Sequence, residues 1–131
     1  MDMKHFLLAP EDLKYKGPAS LIRYEFLIFQ IPFILEALKL AGGNIRLYAS
    51  PWSAPGWMKE NGQMKGGGSL IGDVNGEYYK AYAKYFIRFF EEYSKYGIQF
   101  WGMTLQNEPI VGVIPFFPWQ SMYYSAEMQR F

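Results

Sequence analysis

The stretch Phe100-Trp101-Gly102-Met103-Thr104-Leu105-Gln106-Asn107-Glu108-Pro109 decides how the rest of the chain is read. It is short and almost continuously apolar, and it stops in Asn-Glu-Pro. That profile suits a buried parallel strand ending in a polar turn. Pro109 cannot donate to a ladder, so the strand, expected over 99–106, finishes at or before Asn107-Glu108. Parallel α/β folds place their chemistry at the carboxyl ends of strands. Glu108 is therefore a catalytic candidate by position, although carboxylates are mostly solvated and residue type alone favours an exposed turn residue.

Working upstream, residues 78–96 carry Tyr79, Tyr82, Ala83, Phe86, Phe90 and Tyr93 at three- and four-residue intervals, with Gly97 as a stop. This spacing predicts an amphipathic helix with an aromatic core stripe. Before it, residues 44–50 alternate, with Ile45, Leu47 and Ala49 on one face and Arg46 and Tyr48 on the other, which predicts a strand. Ile31-Pro32 opens an earlier helix whose stripe is Ile34, Leu35 and Leu38, and Gly42-Gly43 closes it. Two strands joined by a helical crossover should be parallel and right-handed, with both carboxyl ends on one rim. Trp52 and Glu108 would then face the same pocket.

The intervening residues 51–75 show little regular pattern, and a loop of that length in a compact domain is usually functional. Gly66-Gly67-Gly68 lies inside it. No strand precedes the triplet and no Gly-Lys-Ser/Thr follows, so it reads as flexible or tightly turning backbone rather than a phosphate cradle.

Composition narrows the classes. The chain has 131 residues, half of them hydrophobic and a fifth aromatic, which is enough for a packed core. A net charge of +1 without a basic run gives no electrostatic support for a nucleic-acid partner. There is no cysteine, which excludes disulfides and thiolate chemistry, and His5 is the only histidine. Residues 1–13 carry no secretory signal, which implies a cytosolic protein or an N-terminus lying further upstream. The apolar run 21–40 is broken by Arg23, Glu25, Gln30, Pro32 and Glu36 and does not read as a membrane span.

Three other segments complete the chain. Residues 1–16 are mixed and polar, with Pro10-Glu11-Asp12 suggesting a turn or a helix start. Residues 17–30 have strand-like composition but connect poorly to either side. Residues 110–124 are apolar and aromatic, punctuated by Pro115 and Pro118. They suit either contact with an apolar substrate or membrane, or packing beneath another part of the protein. Ser125 is placed to cap a following helix.

A carboxyl group beside flat aromatic rings is equipment for glycoside hydrolysis. Glu108 can protonate a leaving glycosidic oxygen, Asn107 can donate to a sugar 2-hydroxyl, and Trp52, Trp57 and Trp119 offer faces for a pyranose. Such hydrolysis needs a second carboxylate, and no other acidic residue of the chain falls at a strand end.

With these residues in place, the chain resembles the glucosylceramidases (acid β-glucosidases) of glycoside hydrolase family 30. The resemblance rests on Ala49-Ser50-Pro51-Trp52-Ser53-Ala54-Pro55, Trp57-Met58-Lys59-x-Asn61-Gly62, Gly68-Ser69-Leu70, Gln99-Phe100-Trp101 through Asn107-Glu108-Pro109, and the closing Gln129-Arg130. It implies an α/β fold, part of a (β/α)8 TIM barrel covering about strands 3 and 4 with flanking helices. Residues 1–131 would form a partial barrel domain with 17–30 as a non-family insert, either a retained intron or a family insertion. It also implies retaining cleavage of glucosylceramide to glucose and ceramide, in a lysosomal setting. Glu108 would be the acid/base, Asn107 and Trp52 substrate-binding residues. The family's nucleophile glutamate has no counterpart in this chain, so the isolated chain is expected to be inactive. At most it would then act as a sugar- or lipid-binding polypeptide. Implied partners are the glycolipid substrate, a membrane surface and a saposin-like activator; no metal or organic cofactor is implied.

Overall fold

A computed structural model describes residues 19–130, with side chains from Gln30 onward. His5 and the expected turn at Pro10-Glu11-Asp12 lie outside the described residues. The elements run α1 (Ala19–Leu40), β1 (Leu47–Ala49), α2 (Glu77–Ser94) and β2 (Phe100–Met103), with short 3-10 turns at Gly56–Met58, Pro109–Val113 and Met128–Arg130.

Helix α1 corrects the sequence reading. The strand-like residues 19–30 are helical and continuous with the helix expected from Ile31. Strand propensity reflects packing on a sheet more than backbone preference. A helix satisfies backbone hydrogen bonds within the segment, without a neighbouring strand. Pro32 consequently sits inside the helix, where it contributes no amide to the ladder. Ile31 is buried and Ile34 and Leu38 half-buried, whereas Leu35 faces solvent. Gly42 and Gly43 end the helix as expected: both have positive φ, and the Gly43 amide reaches back to the Leu38 carbonyl at 2.9 Å.

Strands β1 and β2 pair in parallel, as the helical crossover requires, with Leu47 opposite Phe100, Tyr48 opposite Gly102 and Ala49 opposite Met103. The pairing skips Trp101, so β2 carries a local bulge. Both strands are shorter than the sequence patterns suggest, because only a few residues have a ladder partner.

Helix α2 covers one face of this pair. Its stripe is rotated from the expected one: Tyr79, Tyr82, Tyr85, Phe89 and Tyr93 are buried, Phe86 and Phe90 are half-buried, and Ala83 is exposed. Aromatics flank the stripe on both sides, so its centre is fixed only by what it packs against. That partner is Phe100, whose ring lies 5.3 Å from Phe89, 5.5 Å from Phe90 and 5.1 Å from Tyr93. The Tyr93 hydroxyl donates to Gln30 Oε1 at 2.9 Å, joining α2 to α1. Gly97, in the left-handed region, lets the Ile98 amide reach the Tyr93 carbonyl and end α2.

The opposite face of the strands is open. Tyr48 and Trp101 are 67% and 69% exposed, and the Arg46 guanidinium lies over the Trp101 ring at 5.3 Å. The apolar run of β2 thus reports a strand built to be covered on both faces, of which α2 covers one.

The long segment 51–75 is ordered by its own bonds. Lys59 and Leu70 form an antiparallel bridge, flanked by Glu60 N to Ser69 O and Ile71 N to Met58 O, both 3.0 Å. Gly66-Gly67-Gly68 turns tightly, with positive φ at the first and third positions, and packs against 112–123. Ser125 caps as expected, its Oγ accepting from the Met128 amide at 3.2 Å, although only a 3-10 turn follows.

Candidate active site

Beyond the last strand pair, hydrogen bonds continue between the two exits and set the site. The Thr104 amide donates to Ala49 O at 2.9 Å, and the Asn107 amide to Pro51 O at 2.8 Å. Ser50 and Thr104 share a hydrogen bond between their hydroxyls. The Gln106 side-chain amide donates to Trp52 O at 2.7 Å and to Asn107 O at 3.2 Å. Gln106 is only 7% exposed, so it acts as a buried tie between the loops that carry Trp52 and Glu108.

Trp52, Asn107 and Glu108 line one cavity of about 160 Å³. Its far wall comes from the chain after Glu108: Val111 in the 3-10 turn, then Phe117 and Trp119, then Gln120 and Ser121. The Phe117 and Trp119 rings meet edge to face at 5.5 Å. The cavity is smaller than the roughly 300–1,000 Å³ clefts that engulf drug-sized ligands, and suits a single small ring. Among the residues lining it, Glu108 is the sole carboxylate. Trp57 does not line the cavity; it stands half exposed near Tyr78, with ring centroids 6.5 Å apart.

The Glu108 backbone is unusual. Its φ and ψ of 43° and 57° are left-handed, a region that side-chain-bearing residues occupy rarely and at a cost. The left-handed turn starts the Pro109–Val113 3-10 turn and sends the chain round to form the far wall.

Residues 1–131 match the glycosyl hydrolase family 30 TIM-barrel domain. The chain belongs to glycosyl hydrolase family 30. Relatives within the family include Putative glucosylceramidase 4 of Caenorhabditis elegans, 46% identical over 98% of this chain and 22% of its own. Lysosomal acid glucosylceramidase of Mus musculus is 38% identical, again over 98% of this chain and 22% of its own. The chain thus spans about a fifth of the length of these family relatives. SrfJ from Salmonella typhimurium superposes with a TM-score of 0.69 at 34% identity, covering 87% of this chain and 25% of that one. The parallel βαβ unit is accordingly a piece of a TIM barrel, and its open face with Tyr48 and Trp101 is barrel-strand surface.

Sequence reasoning missed three contributors to the site. Gln106 reads as part of an apolar strand, Ser121 as part of an aromatic tail, and Lys59 only as one letter of a family motif. Each works through a main-chain partner more than 50 residues away, which no local pattern reveals.

Proposed function

We propose that this chain carries the acid/base half of a retaining β-glycoside hydrolase site, with glucosylceramide as substrate. The observation that supports the reading is one cavity at the carboxyl ends of two parallel strands, holding Glu108, Asn107 and the rings of Trp52, Phe117 and Trp119. In this reading Glu108 gives its proton to the glycosidic oxygen as the bond to the anomeric carbon breaks. It then takes a proton from water in the second step. Asn107 donates to the 2-hydroxyl, and Trp52 and Trp119 present ring faces to the sugar.

Retention needs a second carboxylate about 5–5.5 Å from the first. Glu108 is alone in the cavity, so the chain by itself binds sugar without turning it over. A sugar- or lipid-binding polypeptide is the second reading, and the same lone carboxylate favours it. The ceramide side of the substrate, a membrane surface and a saposin-like activator are assigned to the apolar rim beside the cavity. There Phe116 is 94% and Trp119 69% exposed, with Ile110, Val113 and Ile114 nearby. The lysosomal setting follows the name of the mouse relative.

The test is titration of the chain with alkyl β-glucosides, followed by tryptophan fluorescence, together with a sensitive assay for released glucose. Saturable binding that is lost in Trp52→Ala, kept in Glu108→Gln, and stronger for β- than α-glucosides supports the reading. Equal response to both anomers would overturn it. Glucose release that survives Glu108→Gln would remove Glu108 from the acid/base role.

A further inference from the structure

Lys59 is 1% exposed, and among the described residues it has no carboxylate partner. Its ammonium instead points into main-chain carbonyls: Ser121 O at 2.7 Å, Gly66 O at 3.3 Å and Met64 O at 3.4 Å. An ammonium has three donors, and each finds one acceptor here. Burying a cation on carbonyl dipoles alone is costly, so the arrangement calls for an explanation beyond local packing.

The acceptors suggest one. Met64 and Gly66 belong to the loop after Trp57, whereas Ser121 is a wall residue of the cavity that holds Glu108. The two segments are laced together around the lysine. Ser121 Oγ donates to Gly66 O at 2.7 Å, the Ser121 amide to Met64 O at 3.3 Å, and the Gly66 amide to Trp119 O at 3.2 Å. Lys65 and Gln120 add an antiparallel bridge. Gly67 seals the contact, because a Cβ there would lie 2.5 Å from Gly112 O. The neighbouring acid is engaged elsewhere, Glu60 Oε2 accepting from the Ser69 amide at 3.2 Å.

We propose that Lys59 is a positioning residue for the cavity: its ammonium clamps the Gly66-Gly67-Gly68 loop to Trp119-Gln120-Ser121 and so fixes the wall opposite Glu108. The sugar-binding consequence rests on the function proposed above, whereas the clamp itself does not. Without it, Trp119 and Ser121 are free to move away from the carboxylate, and the ring face for the sugar is no longer pre-organised.

The test compares the intact chain with Lys59→Met, which removes the donors, and Lys59→Gln, which keeps two. Amide hydrogen exchange is the first readout. Loss of charge-assisted bonds should speed exchange at Gly66 and Ser121 by about ten- to a hundredfold in Lys59→Met, less in Lys59→Gln, and leave α2 amides unchanged. Exchange that rises equally everywhere, or nowhere, overturns the clamp. β-Glucoside affinity is the second readout, with about tenfold weakening expected in Lys59→Met and partial recovery in Lys59→Gln. Unchanged affinity beside faster local exchange overturns the positioning role. If the intact chain binds no glucoside, the functional reading fails and exchange alone decides the clamp. Should Lys59→Met not fold, Lys59→Gln, whose amide is too short to reach all three carbonyls, carries the same comparison: faster exchange confined to Gly66 and Ser121 supports the clamp, and uniform or unchanged exchange overturns it.

Discussion

The Gln106 side-chain amide donates to the main-chain carbonyl of Trp52 at 2.7 Å, across 54 residues of chain. Through that bond, the loop carrying an aromatic wall and the loop carrying a carboxylate share one rigid origin. The residues named for chemistry, Trp52 and Glu108, do not need to touch one another. Their separation is fixed in part by a buried glutamine that does not itself line the cavity.

Replacing Gln106 by Leu keeps the volume and removes this tie. The lost donor costs about 1–3 kcal/mol, since Trp52 O and Asn107 O both lose a partner. Gln106 Oε1 has no partner among the described residues, so its removal offsets part of that cost. A net loss of about 1 kcal/mol in urea denaturation is expected, with greater mobility at Trp52. An unchanged midpoint and unchanged Trp52 signals would show that the two strand exits are held by their main-chain bonds alone.

Two glycines separate crowding from backbone strain. A Cβ on Gly112 would lie 1.8 Å from Tyr123 N, a main-chain atom that cannot step aside. Gly112→Ala should therefore destabilise by about 3 kcal/mol or more. Gly43 has φ of +77° but open space around its Cα, so Gly43→Ala should lose only about 1 kcal/mol. Denaturant midpoints of the two variants decide whether the Gly112 contact is as tight as the distances require.

Glu108 is held in the left-handed region at φ 43°. Glycine carries no penalty there, so Glu108→Gly should raise stability by about 1 kcal/mol while removing the carboxylate from the cavity. A gain in stability with loss of the acid/base group is the signature of strain kept for function. If Glu108→Gly is less stable than the parent, the carboxylate supports the fold and the strain argument fails.

Stability above neutral pH should rise and then fall. Burial strips water from the Lys59 ammonium and lowers its pKa from 10.5 to about 8. Between those values the unfolded chain holds a proton that the folded chain has released, so raising the pH favours the folded state. Burial, reinforced by the Tyr79 phenol, pushes Tyr124 from 10.0 up to about 12. Above pH 10 the unfolded phenol ionises first, and its contribution to stability is lost as pH climbs through about 12. Denaturation midpoints from about pH 7 to 11.5 test this. Lys59→Met should lack the rising limb, and Tyr124→Phe should make the falling one shallower without removing it, because burial also pushes up the phenols of Tyr79, Tyr82 and Tyr93. A parent chain that only loses stability above pH 8 would mean that Lys59 keeps its proton in the folded state.

By itself the sequence determined the order of elements, the parallel pairing and the identity of the rim. Period-two alternation at 44–50, the aromatic helix ended by Gly97 and the Asn-Glu-Pro stop are local signals written in adjacent residues. Parallel pairing then follows from the length of the crossover. Tertiary structure decided the rest. Residues 19–30 are helical rather than extended, because strand-like composition describes fitness for a sheet and not a preference of the backbone. The centre of the α2 stripe moved to Tyr85 and Phe89, because only the ring of Phe100 selects among many flanking aromatics. The Lys59 clamp and the Gln106 tie join segments more than 50 residues apart through main-chain carbonyls. Every residue carries a carbonyl, so no side-chain pattern marks which ones such a donor will find. The chain brings those acceptors within reach only once it has folded.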